Sequence, residues 1–133
     1  GQKVYKNYDT RAMVKQVISE SIVEDSANKM MFTQPFRLKL RSWQLMQLLV
    51  PFVCGDQQML DWTFEHLAQV LEQSNQPQIK YYTELFVTRV LLSQPRRSLE
   101  FVLPKLKESG NSLNNSISYV IIAGLLLERY FNR

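Results

Sequence analysis

The chain has 133 residues, 45% of them hydrophobic, with 16 Lys and Arg against 12 Asp and Glu for a formal net charge of +4. That length and apolar content suit one compact domain or a short run of small repeats. The single cysteine, Cys54, excludes an internal disulfide framework and points to a reducing, cytoplasmic or nuclear setting, while the mild basic excess permits phosphate or acidic partners without requiring them.

The opening GQKVYKNYD lacks the apolar core of a secretory signal, and Gly1 in place of Met reads as a segment of a longer protein. Apolar residues recur at i, i+3, i+4, i+7 and rarely alternate with polar ones, so six helices are expected. The first covers 9–24, capped by Asp9 or Thr10, with Met13, Val14, Val17, Ile18 and Ile22 as its apolar stripe. The second covers 35–53 and buries Leu38, Leu45, Leu49 and Phe52, with Trp43, Met46, Val50 and Val53 beside them; Gly55 ends it.

The third, 57–73, opens after Asp56 and shows Leu60, Phe64, Leu67, Ala68 and Leu71. The fourth, 77–93, buries Ile79, Tyr82, Phe86, Val90 and Leu91 and stops before Pro95. The fifth starts near Ser98 with Leu99, Val102, Leu103 and Leu106, and Pro104 is expected to kink it. The sixth, 113–131, follows the turn-like SGNS at 109–112 and is apolar around much of its circumference. Its run YVIIAGLLL spans nine residues where a membrane helix needs about 20, so it reads as a buried helix. Asn114-Asn115-Ser116 matches a glycosylation sequon, which without a secretory context is taken as chance.

Two stretches echo each other, TQPFRLKLRSWQLMQLLV at 33–50 and NQPQIKYYTELFVTRVLL at 75–92. Aligning Leu38 with Ile79 sets Lys39 on Lys80, Ser42 on Thr83, Leu45 on Phe86 and Leu49 on Val90, an offset of 41 residues. That is a HEAT or armadillo period, in which stacked helix pairs bury a seam that no pair could close alone. Thr33 and Asn75 would cap the repeated helix, with Pro35 and Pro77 in its first turn. The expectation is an all-α solenoid fragment with units at 9–31, 33–73, 75–109 and 113–133, and an ordinary six-helix bundle is the alternative.

RLKLRSWQLMQLLVPFV and NQPQIKYYTELFVTRVLLSQP resemble the helical region of the TAR RNA-binding-protein-type tRNA guanosine-2'-O-methyltransferases, of the SpoU family. The matching features are Arg41, Trp43-Gln44, Leu48-Leu49 and Pro51, then Asn75-Gln76, Ile79-Lys80-Tyr81-Tyr82 and Glu84, over about half the chain. The resemblance implies a HEAT-like array preceding a knotted catalytic domain, with tRNA as substrate and S-adenosylmethionine as cofactor of the whole enzyme. A knotted pocket needs glycine-rich turns between strands, and this chain has only Gly1, Gly55, Gly110 and Gly124. The segment is therefore expected to be non-catalytic and to hold no cofactor.

Other chemistry is thin. Cys54 and His66 fall on different expected helices with no orienting carboxylate, and no His/Cys cluster of zinc-site spacing exists. Asp61 and Glu65 share a helix face at i, i+4 and read as a solvated pair. Charge order is more informative, because Ser26 to Gly55 holds Lys29, Arg37, Lys39 and Arg41 with no acid, while Asp56 to Gln78 holds Asp56, Asp61, Glu65 and Glu72 with no base. In a solenoid this alternation gives a basic and an acidic face.

Arg37, Lys39 and Arg41 also lie near a helix start, where each cation is disfavoured by about 0.3–1 kcal/mol and needs an offset. Phosphates of an RNA would supply it, or else carboxylates such as Glu72 or Asp61. Lys80, Arg96 and Arg97 would extend a phosphate-binding stripe. Tyr81 could stack on an unpaired base or sit at a helix boundary, whereas Trp43 belongs to the core. Two functions follow, an RNA clamp that presents tRNA to the catalytic domain, or a protein-interaction scaffold with no RNA contact. The sixth helix, through Val120, Ile121, Ile122, Leu125, Leu126 and Leu127, is the expected surface for self-association.

Overall fold

The computed structural model describes residues 2–22, 34–73, 75–107 and 113–131, with side chains for 9–22, 34–73, 75–107 and 118–129. Its elements are α1 (Gln2–Ile22), α2 (Gln34–Met46), a 3-10 turn (Gln47–Leu49), α3 (Val50–Gly55), α4 (Gln57–Glu72), α5 (Pro77–Ser93), α6 (Pro95–Lys107) and α7 (Leu113–Phe131). No strand occurs among the described residues. Because α2, the turn and α3 are continuous, the described residues form six helical rods, and the all-α reading holds for them. Thr33, Lys29 and the turn at 109–112 lie outside the described residues.

Prolines and one aspartate explain most boundaries. Pro51 has no N–H to bond the carbonyl of Gln47, so the backbone tightens into the 3-10 turn before α3 resumes. The Gln47 amide repairs the junction, donating to Trp43 O at 3.0 Å and to Tyr82 O of α5 at 2.9 Å. Asp56 is extended (φ −121°, ψ 109°) and caps α4, its side chain accepting from Met59 N at 3.2 Å. Arg11 of α1 donates through Nε to the same carboxylate at 2.7 Å. Burial by itself raises the Asp56 pKa, but the Arg11 hydrogen bond and the Met59 N–H outweigh it and hold the group below the usual carboxylate range.

Three expected starts are corrected. α1 already runs from Gln2, so Asp9 and Thr10 are interior helical residues and not its cap. Asn75 does not cap α5: the carbonyl of Gln76 accepts the first helical bond from Lys80 N at 2.9 Å, and the Asn75 amide donates to Gln73 O at 3.4 Å. α6 begins at Pro95, three residues before Ser98, since proline loses nothing at a first helical position. Ser98 is instead a buried staple, donating from Oγ to Leu91 O at 2.6 Å. α6 runs through Pro104 to Lys107.

The chain divides into two compact units, Gly1–Phe86 and Val87–Arg133, with the division inside α5. In the first, α1 packs on α2 and α4, and α3 packs on α4. Its core holds Val14 and Ile18 of α1, Phe36, Trp43 and Met46 of α2, Val50 and Val53 of α3, and Leu60, Leu67 and Leu71 of α4. Trp43 meets Phe86 edge-on, with ring centroids 5.5 Å apart at 72°. Its indole N–H is buried with no acceptor among the described residues. Trp62, half-buried on α4, stacks on His66 at 4.0 Å, and the Lys15 ammonium lies 5.5 Å from its ring centre. In the second unit α6 packs on α7, burying Val102, Tyr119, Ile122, Ala123 and Leu126.

The apolar stripes of α4 and α5 fall where the periodicity sets them, but that of α2 does not. Leu38 and Leu45 are 61% and 45% exposed, Leu49 and Phe52 are half-buried, and Phe36 takes their place inside. At 3.6 residues per turn Leu38 lies about 200° round the helix from Phe36, so the two cannot share a face. The echo between 33–50 and 75–92 is thus not matched in burial, since Ile79 and Phe86 are both buried.

Candidate functional site

Turning Phe36, Trp43 and Met46 inward leaves α2 with a second row on its outer side. Leu38, Arg41, Leu45 and Leu48 follow one another at intervals of three, four and three residues, with Arg37 beside the first. Leu48 is 75% exposed, and both arginines are exposed. Leu38, Leu45 and Leu48 form an apolar line about 15 Å long at a rise of 1.5 Å per residue. Arg37 and Arg41 make no ion pair among the described residues, and neither Glu72 nor Asp61 reaches them.

The other expected phosphate ligands are placed differently. Lys39 is half-buried on the side of α2 that faces α1, where with Val17, Glu20 and Ser21 it lines a cleft of about 210 Å³ whose rim Leu38 also reaches, so Leu38 stands at the edge of the outer row. That volume is below the ~300 Å³ at which small-molecule sites begin. Lys80 caps the end of α4, donating from Nζ to Leu71 O at 3.3 Å, and pairs with Glu84 at 3.5 Å. Arg96 and Arg97 open α6 and belong to the second unit, Arg96 exposed and Arg97 half-buried. Of the expected stripe, the structure brings Arg37 and Arg41 together on one face, and Lys39 and Lys80 are turned to other work.

Tyr81 is 63% exposed and meets Tyr82 edge-on at 5.0 Å. Trp43 is fully buried, as its place beside the apolar stripe indicates. Cys54 is half-buried and in no disulfide, and His66 is occupied by the Trp62 ring and by Trp62 O at 2.8 Å from Nδ1. Among the described residues no group of three His, Cys, Asp or Glu side chains could hold a metal ion. None of their helices is long and apolar enough to cross a membrane.

The outer face of α7 is the second exposed apolar surface. Val120 and Ile121 are each 57% exposed, Leu125 is 39% and Leu127 46%, whereas Ile122 and Leu126 of the expected self-association surface are buried in the second unit. Sequence reasoning missed the outer row of α2 because Leu38 and Leu45 are read there as core and Leu48 is given no place. The signal available was the pair Phe36 and Trp43, seven residues apart, which defines a competing stripe through Val50 and Val53. Comparison with protein-family models, with curated proteins and with solved structures gives no match for this chain.

Proposed function

We propose that the chain is a non-catalytic helical scaffold that binds protein through the outer face of α2, within a HEAT-like array of the kind found in the tRNA guanosine-2'-O-methyltransferases that its sequence resembles. The carrying observation is the alternation on that face of three exposed leucines with two arginines. Phosphates would satisfy the guanidinium groups but would strand the leucines against polar atoms. A protein helix can cover both. Any methyl transfer would belong to a separate catalytic domain that brings its own S-adenosylmethionine.

The RNA clamp is the second reading, favoured by the absence of any acid between Ser26 and Gly55 and by Arg37 and Arg41 lying exposed on one face. Salt dependence separates the two. Titrating tRNA against the wild type and the Arg37→Gln/Arg41→Gln variant at several salt concentrations should give weak affinities of ~10⁻⁴–10⁻⁶ M and the same salt slope for both proteins. A slope shallower by about two in the variant, one unit per lost phosphate contact, would establish the clamp instead.

A further inference from the structure

We infer that the occupant of the α2 row is α7 of a second copy of this chain, laid antiparallel across it; this rests on the scaffold reading above. Intervals of three and four residues are those of a seam between two helices. Leu38, Arg41, Leu45 and Leu48 are such a seam, and its one charged member must meet a carboxylate when covered. That requirement selects the partner.

The same face of a second copy fails it. Parallel pairing sets Arg41 on Arg41 and antiparallel pairing sets it on Leu45, and no acidic residue lies between Ser26 and Gly55 to relieve either. α4 carries the acids Asp61, Glu65 and Glu72 but exposes no large apolar side chain to cover the leucines. α7 supplies both. Ile121, Gly124 and Glu128 are exposed and follow at intervals of three and four, the α2 spacing in reverse, and Leu125 is exposed next to Gly124.

Set antiparallel, Ile121 meets Leu48, Gly124 and Leu125 meet Leu45, and Glu128 meets Arg41. Neither Arg41 nor Glu128 has an ion pair among the described residues. A Cβ on Gly124 would touch nothing within 4 Å, so no packing inside the chain asks for glycine at this point in the helix. A neighbouring leucine would use the gap. The contact joins two different faces, so a pair joined once leaves one α2 face and one α7 face unoccupied, which either meet in a closed pair or take up further copies.

Light scattering of the 133-residue chain over a concentration series tests this. The wild type should show a mass that rises above the monomer, and Arg41→Glu or Glu128→Arg alone should weaken association on the order of tenfold or more by setting like charges together. The double variant Arg41→Glu/Glu128→Arg restores the pair with its signs exchanged and should recover the wild-type mass. Both substitutions are at exposed positions, and circular dichroism checks that the helices persist in all three variants. A wild type that stays monomeric, or a double variant as weak as the singles, would overturn the inference. The tRNA slope decides the scaffold reading separately, so either can fail alone.

Discussion

The outer faces of α2 and α7 both show leucine-sized side chains to water, yet they differ in what they lack. α2 mixes its leucines with two cations and has no acid within reach in sequence, whereas α7 is uncharged from Ser118 to Leu127 and meets its first carboxylate at Glu128. An uncharged face can cover almost any apolar partner, but a face with an arginine in its centre can be covered only by a partner that brings the opposite charge. Selectivity on this chain is therefore concentrated on α2, and α7 supplies mainly area.

The comparison breaks first if the inner side of α2 is not its core. Trp43→Ala should cost about 3–5 kcal/mol and Leu126→Ala of α7 about 2–5 kcal/mol, whereas Leu48→Ala should stay within about 0.5 kcal/mol. Denaturant unfolding followed by circular dichroism measures all three, and a large loss at Leu48 would mean that the outer row is structural. Next in size is Asp56, whose replacement by Ala removes the cap of α4 and the acceptor of Arg11, for a loss of about 0.5–2 kcal/mol that should leave association through either face unchanged.

Asp56 also sets a pH dependence. Its folded pKa lies below the unfolded value of about 3.9, so the stabilisation is complete above that value and fades as pH falls through the lower folded pKa. Arg11→Met should shrink the loss measured between pH 5 and pH 2.5. At neutral pH the same variant should lose less than about 1 kcal/mol, since Arg11 is 40% exposed. Gly124→Ala should raise stability by about 0.5–1 kcal/mol, because a helix interior disfavours glycine and nothing blocks the methyl. If α7 packs against another helix there, the variant will be more stable yet associate less.

The helices were legible where one feature decided each. Asp56 caps α4, Pro77 starts α5, and the stripe from Leu60 to Leu71 admits a single face. α2 was not legible, because apolar residues occur on both of its sides and periodicity ranks two stripes without choosing between them. The choice was made by long-range partners, Phe86 against Trp43 and Tyr82 O against Gln47, which the spacing within α2 does not contain. The expected cation stripe dispersed for a related reason. Lys39 and Lys80 are basic residues in sequence, but the fold uses one beside a cleft and the other as the cap of a neighbouring helix.

Both tryptophans, Trp43 and Trp62, belong to the first unit, and the second has none. Indole emission therefore follows the melting of residues 1–86, while helical ellipticity follows the whole chain. Trp43 is sealed against Phe86 and should emit to the blue, and Trp62, half-buried under the Lys15 ammonium, should emit to the red. Trp43→Phe keeps a ring in place and sacrifices no hydrogen bond, so it isolates the second reporter at small cost. Emission and ellipticity curves that coincide would show one cooperative transition, and curves that separate would show that the boundary in α5 is also a boundary in unfolding.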